Sequence, residues 1–259
     1  MNHSYPAEVR RTALSLLRNG VSNVDVARRL GIPAGTVGTW KHEDRRRQGH
    51  IPLLRSCPIC DKDLKILNTR SYSYLLGLYL GDGHINKYRQ WRAHALTIAC
   101  ADAWPGLIDS AAEAMRIVMP HNKVCRVQQQ GCTSVKSYSQ HWACLFPQHG
   151  PGRKHERRIV LADWQATIVQ KHPEEFIRGL IHSDGCRVTN WATRPVAGET
   201  KRYEYPRYLF VNESEDIRNL FTDALNLLGI EWRRSKRNCI SVAKRDSVAA
   251  MDNFVGPKY

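Results

Sequence analysis

The sequence predicts an α+β protein of two pseudo-symmetric halves, each running αββαββα, behind a small all-α module. Three observations carry this. First, LLGLYLGDG at Leu75–Gly83 returns as IRGLIHSDG at Ile177–Gly185, each an apolar helix-like run with small residues four apart that ends in Asp-Gly. Second, the order helix, two strands, helix, two strands, helix is expected behind each copy. Third, Pro6 to about His42 shows helical apolar periodicity broken by two turns.

In the all-α module, Val9, Ala13, Leu16 and Leu17 form one stripe, which Gly20 ends. Ser22 or Asn23 can cap a second helix, Asp25–Leu30, with Val26, Ala27 and Leu30 inward. Gly31-Ile32-Pro33 makes a tight turn, and Ala34–Trp40 forms a third helix with Val37 and Trp40 toward the core. This spacing resembles the helix-turn-helix of transposases and sigma factors, which implies that the last helix enters the major groove. Thr36, Thr39 and Lys41 lie off the apolar stripe and are the expected DNA contacts. A three-helix protein-binding module is the alternative.

The module is expected over residues 1–45, followed by a basic linker over 46–70 that contains Cys57-Pro58-Ile59-Cys60. Two cysteines separated by two residues suit one side of a Zn²⁺ site, with His42 and His50 as candidate partners and a plain reduced turn as the alternative. The two halves are expected over 71–170 and 171–259.

In the first half, strands are expected at His94–Cys100, Asn122–Val127 and His141–Phe146, and helices at Leu107–Met119 and Leu161–Val169. In the second, strands are expected at Arg207–Val211, Ile230–Arg234 and Asn238–Val242, and helices at Glu215–Leu228 and Asp246–Phe254.

The chain has 259 residues, with 39 Lys and Arg against 24 Asp and Glu, a formal charge of +15 that points to a polyanionic partner. The excess gathers in Arg45–His50, Gly152–Arg158, Lys201–Arg207 and Arg233–Arg237. From these runs Arg45, Arg46, Arg47, Arg153, Arg157, Arg233, Arg234, Lys236 and Arg237 are the expected nucleic-acid contacts. Eight mostly isolated cysteines, no signal-like N-terminus and no apolar run of membrane-spanning length point to a reducing, cytoplasmic setting and no membrane partner.

The repeated segments carry the chemistry. Gly77 and Gly81, like Gly179 and Ser183, stand at i and i+4, so two helices are expected to touch backbone to backbone along those faces. Asp82 and Asp184 then meet at the helix C-termini, where carboxylates and unpaired carbonyls suit Mg²⁺. Gly83 and Gly185 are expected to supply left-handed turns that end the helices.

With their small third and seventh positions and terminal Asp-Gly, the two segments resemble the motif of LAGLIDADG homing endonucleases, in the single-chain, two-motif form. The resemblance covers roughly residues 71–259 and implies a monomer that cuts double-stranded DNA at a long target site. It implies saddle-shaped sheets in the major groove and two or more Mg²⁺ ions on Asp82 and Asp184. It also implies a basic residue at each cleavage centre, for which Lys154 and Lys244 are the candidates. An acid often precedes the metal ligand by two residues in that family; Leu80 and His182 stand there, and His182 is expected to pack or hydrogen-bond locally. The alternative is a transcription regulator that binds DNA without cutting it, as in regulators that join the same fold to a helix-turn-helix.

Overall fold

The computed structural model describes residues 5–49, 57–87, 93–196 and 198–258. The chain divides into two compact units, Met1–Ser56 and Cys57–Tyr259. In the first, α1 (Ala7–Arg18), α2 (Asn23–Leu30) and α3 (Ala34–Arg47) enclose a small core of Ala13, Val26 and Val37, all fully buried, with Leu17 and Trp40 around them. Ser22 Oγ accepts the Asp25 N–H at 3.2 Å and so caps α2, while Gly31, at φ +62°, ends it. The third helix runs two turns beyond the expected Trp40 and absorbs the basic run that was expected to open the linker. Glu43 and Asp44 hold that extension, pairing with Arg10 and Arg18 of α1; Arg18 reaches Asp44 twice, at 3.0 and 2.6 Å.

The second unit contains two matching sets of elements. The first set is α4 (Thr69–Leu80), β1 (Gly83–Lys87), β2 (His94–Ala101), α5 (Pro105–Val118), β3 (Val124–Gln129), β4 (Cys132–Ser139), α6 (Trp142–Leu145) and α7 (Asp163–Lys171). The second is α8 (Pro173–Asp184), β5 (Gly185–Val196), β6 (Glu199–Val211), α9 (Glu215–Leu227), β7 (Arg233–Lys236), β8 (Cys239–Val242) and α10 (Arg245–Val255). Each set forms a four-stranded antiparallel sheet of the same order, β1-β2-β4-β3 and β5-β6-β8-β7. One core joins them, running from Leu75, Leu76, Leu96 and Trp142 through Phe176 and Leu180 to Phe210, Phe221 and Met251. Among the described residues no helix is long and apolar enough to cross a membrane.

Four elements differ from expectation. The strand expected at Ile230–Arg234 begins only at Arg233 and runs to Lys236, because Ile230 is buried in the core and its N–H closes the preceding turn on the Leu225 carbonyl at 3.0 Å. His141–Phe146 is not a strand: Trp142 is fully buried with its indole N–H on the Ser137 carbonyl at 2.9 Å, and the chain turns through α6. The fourth strand is instead Cys132–Ser139, whose Thr133, Ser134 and Ser137 are buried without an apolar signature. Thr133 is satisfied there by Asp102 at 2.7 Å. In the second half, β5 and β6 pair along their length from Gly185↔Phe210 to Val196↔Glu199, a far longer hairpin than the expected Arg207–Val211 strand.

Candidate active site at the paired motif helices

α4 and α8 lie in direct backbone contact because their facing positions carry almost no side chain. A Cβ on Gly77 would stand 2.5 Å from the Phe176 carbonyl oxygen and 2.8 Å from the Leu180 nitrogen. One on Gly179 would strike the Tyr74 carbonyl, and one on Gly81 would strike the Ser183 side chain. The structure therefore brings Gly77, Gly81, Gly179 and Ser183 together along one seam. Gly83 and Gly185 serve a different end from the one expected. Neither has a positive φ; each lets the chain fold back against its own helix, since a Cβ would meet Tyr79 Cα at 2.5 Å or Ile181 Cα at 2.7 Å.

The seam delivers both motif carboxylates to one place, with Asp184 Oδ2 3.1 Å from where a Gly81 Cβ would sit. Asp82 keeps one side open to solvent, yet its pKa rises to about 6, first from desolvation and then from the charge of Asp184; Lys154 and Lys258 partly offset this. Asp184 is also pushed up by desolvation, countered by Asn212 Nδ2, which donates to its Oδ2 at 2.6 Å, and by the same two lysines. Among the described residues Asp82 has no comparable hydrogen bond.

Each lysine sits on the end of one motif helix. Lys154 Nζ donates to the carbonyls of Tyr79, Leu80 (3.1 Å) and Gly81 (2.6 Å) at the C-terminus of α4. Desolvation lowers its pKa to about 8 against the pull of Asp184 and Asp82. Lys258 Nζ donates to the Gly185 carbonyl at 2.5 Å just past α8, and it too is depressed by desolvation and raised by Cys186, Asp82 and Asp184. The carbonyls expected to help hold a cation are thus occupied by ammonium groups.

Lys258 stands where Lys244 was expected. Lys244 is exposed at the start of α10 and pairs with Glu231. The signal for Lys258 lies in His182, two residues before Asp184. His182 Nε2–H donates to the Val255 carbonyl at 2.9 Å, so Nδ1 accepts the Tyr74 hydroxyl, also at 2.9 Å. Burial lowers its pKa to about 4 and keeps it neutral. It anchors the end of α10, from which Gly256, at φ +71°, turns the chain toward Lys258.

Strand register sorts the basic residues by face. Tyr208 and Phe210 of β6 point into the core, so Lys201, Tyr203, Tyr205 and Arg207 share the opposite face with their β5 partners Arg194, Ala192, Asn190 and Val188. Through Ser241↔Leu209 and Val211↔Cys239 that face extends to Arg233 and Lys236 of β7. Arg234 falls on the helix side, 3.1 Å from Glu215, and Arg237 pairs with Glu213 at 2.7 Å. Arg157 is turned inward onto the carbonyls of Gln148, Pro151 and Gly152 and shapes the loop that carries Lys154, whereas Arg153 is exposed beside it.

Residues 1–56 match the family model HTH_Tnp_1, described as Transposase. No curated protein sequence matches the chain. Among solved structures the chain is similar to the homing endonuclease I-DmoI in complex with DNA and Ca, at 17% identity and a TM-score of 0.48, over 73% of this chain and 91% of that one. It is also similar to the LAGLIDADG meganuclease I-AabMI bound to uncleaved DNA, at 13% identity and a TM-score of 0.45, over 71% of this chain and 82% of that one. A third is the homing endonuclease I-WcaI bound to its DNA recognition sequence, at 12% identity and a TM-score of 0.43, over 74% and 83%. At such identities function has to be argued from the residues of this chain.

In the first unit, Thr39 is exposed on α3, with its hydroxyl on the Gly35 carbonyl at 3.0 Å, and Thr36 and Lys41 are half-buried. Arg45 and Arg47 are exposed at the end of the same helix; of Arg46 only the backbone is described. The cysteine pair acquires partners from the second unit itself: Cys57, Cys60, His141 and Cys144 place their ligand atoms within 4.8 Å of one another, a group suited to a metal. His50 lies outside the described residues.

Proposed function

We propose that the chain is a sequence-specific endonuclease of double-stranded DNA that hydrolyses one phosphodiester per strand with divalent metal held by Asp82 and Asp184. The observation that carries this reading is the convergence of two part-desolvated carboxylates and two lysines at the ends of helices in backbone contact, beside a basic sheet face. The donor set fits a hard cation: oxygen ligands of like charge held together, with the Asp82 pKa raised to about 6, gain most from a divalent ion. Asp82 and Asp184 would hold Mg²⁺, which would supply Lewis acidity toward the phosphodiester and the attacking water.

The remaining work falls to the chain's own groups. Asn212 holds Asp184 in one rotamer through its 2.6 Å hydrogen bond. Lys154 and Lys258 keep positive charge beside the carboxylates, where the phosphodiester's developing negative charge arrives. Arg194, Lys201, Arg207, Arg233 and Lys236 meet backbone phosphates, and Tyr203, Tyr205 and Asn190 lie among them at base-reading positions. Since one chain carries both carboxylates, a monomer suffices for both strands. Thr36, Thr39, Lys41, Arg45 and Arg47 of the helix-turn-helix unit add DNA contacts of their own.

The other reading, a regulator that binds without cutting, draws on the transposase-type match at residues 1–56 and on the lysines, which partly neutralise the carboxylates without metal. Incubation with a library of supercoiled DNA in Mg²⁺, followed by sequencing of the ends, decides between them. Double-strand breaks at one site, abolished by Asp82→Asn or Asp184→Asn, support the endonuclease. Tight, salt-sensitive, metal-independent binding with no breaks at high protein concentration establishes the regulator instead.

A further inference from the structure

Cys57 and Cys60 belong to the same compact unit as the motif helices, and a four-residue metal-ligand set closes around them. The turn after Cys57 is tightly organised. Asp61 Oδ2 accepts the Cys57 N–H at 2.8 Å and the Asp61 N–H returns to the Cys57 carbonyl at 2.8 Å; the Asp63 N–H reaches Pro58 at 3.0 Å, and Lys62 takes φ +52°. This hydrogen bonding aims both thiols to one side. The other two groups come from the segment after β4, where His141 caps α6 and Cys144 follows one turn later on the same face. Buried Trp142 fixes that turn through Ser137.

The interatomic distances match one ion. Cys60 Sγ lies 3.7 Å from Cys144 Sγ and 3.5 Å from His141 Nδ1, and Cys144 Sγ lies 3.9 Å from the same nitrogen. A regular tetrahedron with Zn–S of about 2.3 Å and Zn–N of about 2.0 Å has sulfur–sulfur edges of roughly 3.8 Å and sulfur–nitrogen edges of roughly 3.5 Å. Three soft thiolates and one imidazole select zinc over the hard cations that suit Asp82 and Asp184.

We propose that Cys57, Cys60, His141 and Cys144 bind one structural Zn²⁺ that staples the segment entering α4 to the turn after β4. Four protein ligands close the shell, so the ion takes no part in hydrolysis. It closes a chain loop of 81 residues between Cys60 and His141, a contact that is expensive in chain entropy when unaided. The stretch before the first motif is thereby part of the second unit's fold.

The test is elemental analysis of the purified full chain after removal of loosely bound metal. One zinc per chain is expected, replaceable by Co²⁺ with the intense absorption of a tetrahedral thiolate complex. Asp82→Asn with Asp184→Asn keeps that zinc, and Cys60→Ser with Cys144→Ser loses it. Should the cysteine variant not fold, a thiol-blocking mercurial on the wild-type chain still releases one equivalent to a colorimetric chelator. A wild-type chain with no stoichiometric zinc after exposure to excess Zn²⁺, or one that carries iron instead, overturns the proposal. So does zinc that leaves with the aspartates rather than with the cysteines.

Discussion

The two halves share a fold but not a surface. On the outward face of the first sheet, register places His84, Asn86, Thr97, Lys136 and Ser134, which among the described residues carries a single lysine. The corresponding face of the second sheet carries Arg194, Lys201, Arg207, Arg233 and Lys236 with two tyrosines. The carboxylates differ in the same sense. Asp184 has an amide partner in Asn212, whereas Asp82 faces Asp184 with only the lysines to offset it. The lysines are unequal as well, since Lys154 serves three helix-terminal carbonyls and Lys258 serves one. Among the described residues the duplicated scaffold thus brings the two carboxylates together, while the outward positive charge gathers on the second sheet.

The largest effect expected from breaking this pairing is on chemistry. Asp82→Asn and Asp184→Asn each lower cleavage on the order of 10³-fold while DNA affinity is retained, measured by single-turnover cleavage beside filter binding. A variant that cuts at the wild-type rate removes that carboxylate from the site. The helix seam comes next. Gly179→Ala forces a Cβ onto the Tyr74 carbonyl and costs about 3 kcal/mol in urea unfolding. Gly198→Ala, at φ +83° with open space around it, costs about 1 kcal/mol.

The lysines separate by a smaller margin. Lys154→Met leaves the last carbonyls of α4 without their donor and costs about 2 kcal/mol, whereas Lys258→Met costs about 1 kcal/mol, both read from unfolding curves. Equal values would mean that the two ends of the seam are equivalent. On the sheets, replacing Arg194, Lys201 and Arg207 together by Gln flattens the salt dependence of binding by about 3 in log–log slope, against at most about 1 for Lys136→Gln.

The last prediction concerns pH without metal. The Asp82 carboxyl titrates at about 6 in the folded chain against 3.8 when unperturbed, so its ionisation destabilises the fold increasingly as pH rises between those values, and fully above them. Asp82→Asn should therefore raise Tm at pH 7, and the gain should shrink as pH falls through 6 and vanish near 3.8. A gain independent of pH would assign the effect to packing.

Much of the fold was legible because it is written in local periodicity. The motif helices, the helices after each hairpin and the three helices of the first unit all follow apolar stripes that any one segment displays on its own. The misread elements are those whose identity is set by neighbours. Thr133 and Ser134 look like a loop until Asp102 and Gln129 accept their hydroxyls, and Trp142 and Phe146 look like a strand until Trp142 finds the Ser137 carbonyl. The long β5–β6 hairpin was hidden because its outer faces are basic and aromatic rather than alternating in polarity.

Sequence alone determined the duplication, the two carboxylates, the small-residue seam and the chain's own excess of positive charge, since each depends on residue type and short spacing. Only the tertiary structure decided which lysine stands at the end of the second motif helix, which arginines reach the outer sheet faces and which residues join Cys57 and Cys60. Those facts join residues far apart in the chain through register and helix ends, and no local pattern encodes them.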